Sequence, residues 1–290
     1  MKMSKSFKRL SVLMIAAALF VIAGCGNNNV NSNNASSNNA AGGSNASGGS
    51  TASKAIAKIK ERGKLLVGVK YDTRLFGLKD PASGNVEGFD IDISKAIAKH
   101  ILGDENAIEL KEVTSKTRIP MLNNGEIDMV VATMTITEER KKEVDFSDVY
   151  FQAGQSLLVK KGSSITGLED VTKDTKILGS KGATSIKNIK EKVPGVTVLE
   201  FDNYQDAFSA LKAGQGDALT TDDAILYGMA SQDPGFEVVG EPFTDEPYGI
   251  AVQKGNTDVV QAINDTLTEL KSSGDYAAIY TKWIGKAPAK

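Results

Sequence analysis

Short apolar runs rich in Val, Ile and Leu recur along residues 54–290 and alternate with stretches whose apolar positions fall three and four apart. The short runs predict buried strands at 65–70 (LLVGVK), 107–113, 129–132, 176–179, 196–201 and 218–221. The longer stretches predict helices opening at Asp90, Ser115, Thr184, Asn203 and Thr257, each a residue that can cap free backbone N–H groups. In the first of these (DIDISKAIAKHI), Ile91, Ala98 and Ile101 fall on an apolar stripe that Gly103 ends. A further helical start is expected at Glu138, after the strand at 129–132 and a hydroxyl-rich turn. Strands alternating with helices predict an α/β fold with mostly parallel sheets covered by helices.

The first 53 residues break this pattern. Lys2, Lys5, Lys8 and Arg9 precede an apolar run from Leu10 to Ala23, too short for a good membrane span of roughly 20 residues. The run closes on Ile22-Ala23-Gly24-Cys25, which resembles a lipoprotein signal. Residues 1–24 are therefore expected to be a signal peptide, with Cys25 lipid-modified by a diacylglycerol and palmitate-type chains. Residues 25–53 are almost all Asn, Ser, Gly and Ala, a composition that buries too little apolar surface to fold and predicts a flexible tether. Without the leader the chain holds 30 Lys+Arg against 36 Asp+Glu, a net charge of −6. An acidic body argues against nucleic acid as a partner. Cys25 is the only cysteine and His100 the only histidine, so no disulfide, no Ser/His or Cys/His pair and no metal-ligand cluster is expected.

Chemistry concentrates in residues 128–150, DMVVATMTITEERKKEVDFSDVY. A buried strand feeds a turn carrying Thr133, Thr135 and Thr137, with Arg140 close behind. Strand ends that lead into helix starts present outward N–H groups, and a planar two-pronged guanidinium can join them around one carboxylate. This run closely resembles the signature of the solute-binding proteins that feed polar amino acids to ABC importers, the family 3 type. GVKYDTRLFG and TSKTRIPML are similar to that family's glutamate/aspartate-binding branch.

The resemblance implies a two-lobed periplasmic-binding-protein-like fold of type II with two hinge crossovers. The similar segments 156–163 (SLLVKKGS) and 249–257 (GIAVQKGNT) would be the crossing strands. Lobe 1 would comprise 54–155 and 252–290, and lobe 2 156–251. The resemblance also implies an extracytoplasmic, lipid-anchored monomer that partners an ABC permease and its ATPase, with no cofactor.

A free amino acid brings an α-carboxylate and an α-ammonium into a dry cleft, and each needs a partner there. Arg140, Thr133 and Thr135 are candidates for the carboxylate, with Thr184 and Ser185 of the loop GSKGATS adding to its shell from the other lobe. Asp222 is the candidate for the ammonium. Its neighbour Asp223 could take the same role, but the family places its amine-binding aspartate at the first of the two. The family's side-chain-binding lysine and arginine fall at Lys70 and Arg118. Three cations and one acid complement an acidic amino acid, glutamate or aspartate, and predict a preference of at least about tenfold for glutamate over glutamine. A receptor for glutamine or another polar amino acid, or a ligand-sensing surface lipoprotein, is the alternative. An enzyme on the same scaffold has little to work with. Arg74 stands where relatives commonly carry proline, and Phe76 and Tyr71 are equally suited to wall or core.

Overall fold

The computed structural model describes residues 54–288. The leader, Cys25 and the tether lie outside the described residues.

Two five-stranded sheets form the centres of two lobes. The first runs Ile108–Glu112, Leu65–Val69, Met129–Val130, Ala251–Gln253, Val144–Phe146. Its first three strands are parallel, and Ala251–Gln253 is antiparallel to both neighbours. The second runs Thr197–Phe201, Lys176–Ser180, Ala218–Asp222, Gln155–Lys160, Phe236–Val239, again with three parallel strands and then an antiparallel one. Both sheets thus share one pattern, as the alternation of strand-like and helix-like stretches leads one to expect.

Helices cover the sheets by burying one stripe each. In Phe89–Leu102 the positions Phe89, Ile93, Ile97 and Ile101 recur at intervals of four and are all buried. Gly103, in the left-handed region at φ +80°, ends the helix by donating its N–H to the Lys99 carbonyl. The helix begins one residue earlier than Asp90, and Asp90 turns inward instead of capping it. The helix expected at Ser115 is the short Arg118–Asn123. Pro120 has no N–H and fits only the first turn, so the helix cannot extend three residues upstream of Arg118. The expected helix at Glu138 shrinks to one 3₁₀ turn, Arg140–Lys142, because Val144 already enters the sheet edge.

The crossing between lobes also differs from expectation. Segments 156–163 and 249–257 do not cross: their apolar cores lie inside the sheets as Gln155–Lys160 and Ala251–Gln253. The residues immediately upstream cross instead. Phe151–Ala153 and Glu246–Tyr248 form a two-stranded antiparallel ribbon, pairing Ala153 with Glu246 and Phe151 with Tyr248. Bulk is what anchors that ribbon. Phe151 lies 5.1 Å from Phe76 and 5.4 Å from Tyr248 between ring centres, and 5.6 Å from Phe89. Each such aromatic pair contributes about 0.5–1.5 kcal/mol beyond area burial.

Candidate functional site

The residues singled out from sequence lie at the carboxyl ends of the parallel strands of both sheets. Lys70 follows Leu65–Val69, and the turn 131–137 follows Met129–Val130. Thr184 and Ser185 open the helix after Lys176–Ser180, and Asp222 ends Ala218–Asp222. In open α/β sheets this is the ligand-binding edge, and here two such edges face each other.

Lys70 is fully buried, as are Arg118 and Asp222 to within 2% and 4%. Arg118 Nη1 donates to the Ala132 carbonyl at 2.7 Å, which fixes the guanidinium against the hydroxyl turn, and its Nε has no partner among the described residues. Arg140 donates to the Thr135 carbonyl at 2.8 Å and, across the cleft, to the Gly182 carbonyl at 3.2 Å. Lys187 reaches Glu139 at 2.7 Å on the same side, so the lobes touch. Thr133 adopts φ +45°, uncommon for a residue with a branched side chain. Its strained amide donates to Asp90 Oδ2 at 3.1 Å, and the other Asp90 oxygen accepts the Tyr150 hydroxyl at 2.8 Å.

The choice between the two adjacent aspartates is legible in their contacts. Asp222 accepts the Tyr248 hydroxyl at 2.5 Å and makes no helix-capping bond, whereas Asp223 accepts the Ala224 and Gly154 amides. Asp222 is thus the buried one of the pair, held by Tyr248 instead of by its own helix.

Burial dominates the electrostatics. It pushes Asp222 up to about 7, assisted by the nearby Glu246 carboxylate, and raises Asp90 to about 7 against the pull of its hydrogen bonds. Lys70 is lowered to about 8 by burial, while Asp72 draws it back upward; Arg118 is lowered to about 9 by burial and Arg140. The cations stay charged at neutral pH.

Several polar residues at this edge were not among the sequence candidates. Glu246, 2% exposed, accepts hydroxyls from both lobes: Thr135 at 2.7 Å and Thr184 at 2.9 Å. Asn188 joins it at 3.0 Å, and Gln155 donates to Thr184 at 2.9 Å. The hydroxyls of Thr135 and Thr184 therefore point their protons at Glu246 and present lone pairs elsewhere. Ser185 Oγ, buried, has no partner among the described residues. The count of three cations and a lone acid is corrected accordingly. Asp72, Asp90 and Glu246 join Asp222, so the cations already have acidic neighbours of their own. The signal in sequence was faint: Asp90 looks like a helix cap and Asp72 and Glu246 like ordinary solvated acids.

Among the described residues no group of three or more His, Cys, Asp and Glu gathers as a metal site. No helix among them is long and apolar enough to cross a membrane. His100 sits near the end of its helix beside Glu269, 3.5 Å away.

Residues 65–286 match the bacterial extracellular solute-binding proteins, family 3. The chain belongs to that family. Among family 3 proteins it is 62% identical over 273 residues to the ABC transporter glutamine-binding protein GlnH of Bacillus subtilis (strain 168), covering 94% of this chain and 95% of that one. It is 57% identical over 254 residues to the glutamine-binding protein of Geobacillus stearothermophilus, covering 88% and 95%. The glutamate-binding protein GluB of Corynebacterium efficiens is 35% identical over 237 residues, covering 78% and 80%. Among solved structures, an ancestral arginine-binding protein bound to glutamine is 49% identical, with TM-score 0.73 over 78% of this chain and 99% of that one. The family 3 relatives are receptors, and the two-lobed α/β architecture is theirs.

Proposed function

We propose that this chain is the extracytoplasmic receptor of an ABC importer and captures glutamine between its lobes for delivery to a permease and its ATPase. The carrying observation is the convergence of Lys70, Arg118, Arg140 and Asp222 on the facing strand ends of the two lobes, where the cations already have acidic neighbours. Arg140 and the buried, unpartnered Ser185 hydroxyl hold the α-carboxylate beside the turn that carries Thr133, while Thr135 and Thr184, whose protons go to Glu246, frame the site. Asp222 takes the α-ammonium. Lys70 and the unpartnered Arg118 Nε serve the side-chain carbonyl. Because Lys70 has Asp72 for counter-charge, a neutral amide oxygen satisfies it without a second ligand charge. Charge-assisted hydrogen bonds contribute about 1.5–3 kcal/mol each, and micromolar affinity requires about 8 kcal/mol net. The names of the relatives at 62% and 57% identity support the same amide.

Glutamate is the second reading. Two buried cations at the side-chain end favour it, and so does the glutamate-binding relative at 35% identity. Titration calorimetry on the chain from Lys54 onward, with both amino acids, separates the readings: glutamine at least about tenfold tighter supports the first, and glutamate tighter replaces it with the second.

The receptor reading includes a hinge. The body built on the first sheet, about residues 54–150 with 249–290, turns against the body built on the second, about 154–245, at the ribbon Phe151–Ala153/Glu246–Tyr248. It also includes an anchor at Cys25 after removal of residues 1–24. Cys25→Ser is expected to release the protein from the membrane fraction, with loss of a lipid mass from its N-terminus by mass spectrometry.

A further inference from the structure

Tyr204 stands apart from the site assembled above, yet it is held there by both lobes. It belongs to the second lobe as the first residue of the helix Tyr204–Lys212, and it is 3% exposed. Its ring lies under the Lys70 ammonium, 5.0 Å from Nζ to the ring centre. Its hydroxyl oxygen accepts a hydrogen bond from Thr221 Oγ1 at 2.9 Å, next to Asp222. Its amide N–H donates to Asp72 Oδ2 at 2.7 Å, and Asp72 belongs to the first lobe, two residues beyond Lys70. One residue of the second lobe thus engages the Lys70 end of the first lobe twice, through backbone and ring, and connects it to the strand that ends in Asp222. Lys70 in turn donates to Ser115 Oγ at 3.1 Å, so its ammonium is fixed in direction.

We propose that Asp72 and Tyr204 form a clasp across the cleft: closure brings Tyr204 over Lys70, Asp72 locks it there, and the clasp retains the bound amino acid. Tyr204 is a wall of the ligand site, and Asp72 is a positioning residue that acts through it. The proposal rests on the reading of Lys70 as a ligand-facing cation. The ring's negative face favours the ammonium, a contact that strengthens once water is excluded. An opened cleft exchanges that contact and the Asp72 bond for water, so the clasp opposes opening more than it assists entry. It belongs in the dissociation rate.

The test is stopped-flow binding of glutamine and glutamate to the wild type, Asp72→Ala, Asp72→Asn, Tyr204→Leu and the double variant Asp72→Ala/Tyr204→Leu. Expected for Asp72→Ala is a dissociation rate at least about tenfold faster with an association rate within about threefold of wild type. Asp72→Asn, which keeps an oxygen to accept the Tyr204 amide but not the charge beside Lys70, should recover most of the difference for glutamate, whose second carboxylate replaces that charge. The double variant should dissociate no faster than the worse single, because both changes break one clasp. A merely structural role would instead lower the melting temperature of the free protein and give additive effects. Unchanged dissociation in Asp72→Ala and in Tyr204→Leu, or additive losses in the double variant, overturns the clasp while leaving the receptor reading intact. Failure of the wild type to bind either amino acid overturns the receptor reading and the clasp with it.

Discussion

Arg140 carries two jobs in one side chain. One nitrogen fastens the hydroxyl turn of its own lobe and another reaches the Gly182 carbonyl opposite. Asp222 has a simpler task and a more sensitive one, because it titrates close to neutrality. On the proposed reading an ammonium ligand binds the ionised carboxylate; with Asp222 raised to about 7, a falling pH is expected to protonate it and weaken binding. Glutamine affinity is therefore expected to be flat above pH 7 and to fall towards tenfold per unit below it, read by calorimetry between pH 5.5 and 8.5. Asp222→Asn should weaken binding by at least about 2 kcal/mol and flatten that profile. Asp90 poses the same chemistry as a stability question. Its folded-state value is raised above the model-peptide value of 3.8 to about 7, so the folded protein holds the proton more tightly. Stability from this group is full below pH about 4 and is lost as pH rises to about 7. Asp90→Asn carries no such loss, so its melting temperature relative to wild type is expected to climb over that window and level off above it. At this scale the sequence was readable where a residue stands at a strand end, as Lys70 and Asp222 do. It was opaque where a side chain's partner lies far along the chain. Asp90 meets Thr133 and Tyr150, and Glu246 meets Thr135, only because the fold delivers them.

At the scale of elements, the strands were legible because fully buried runs of Val, Ile and Leu leave little alternative, and 197–201 and 218–222 fall within a residue of the expected bounds. What failed were the pieces whose extent depends on neighbours. The helix near Ser115 is limited by Pro120, and the one near Glu138 by a sheet edge that no local pattern announces. The crossing ribbon is another such piece, three residues on each side and recognisable only once paired. The loop before Thr184–Lys192 carries a sharper constraint. Gly182 has φ +79°, and a Cβ there would meet the backbone of the opposite lobe, Lys116 Cα and Ser115 O, at 2.9 Å. Gly182→Ala is expected to obstruct closure, weakening glutamine binding at least about tenfold while altering the free protein's stability by only about 1 kcal/mol, the penalty of a left-handed alanine. Calorimetry paired with thermal melting checks both halves.

For the molecule as a whole, ligand contacts that bridge two lobes shift the equilibrium toward closure, and binding only the native state raises its stability. At a hundredfold excess over Kd the gain is about 2.7 kcal/mol, which for a body of this size corresponds to a melting shift of roughly 5–10 °C. A thermal-shift screen over the common amino acids should show that shift for glutamine, with smaller shifts for amino acids whose side chains offer Lys70 no acceptor. A uniform response across the set would remove the specificity assigned to the Lys70 end.

The antiparallel ribbon at the crossing has one more implication. Because Ala153 pairs directly with Glu246, the chain leaves the first lobe and returns to it at neighbouring points. The entire second lobe is thus a cassette whose two ends are already side by side. It should tolerate excision behind a short linker, or replacement by the corresponding cassette of a relative, and half of a receptor's chemistry could be inherited in a single splice.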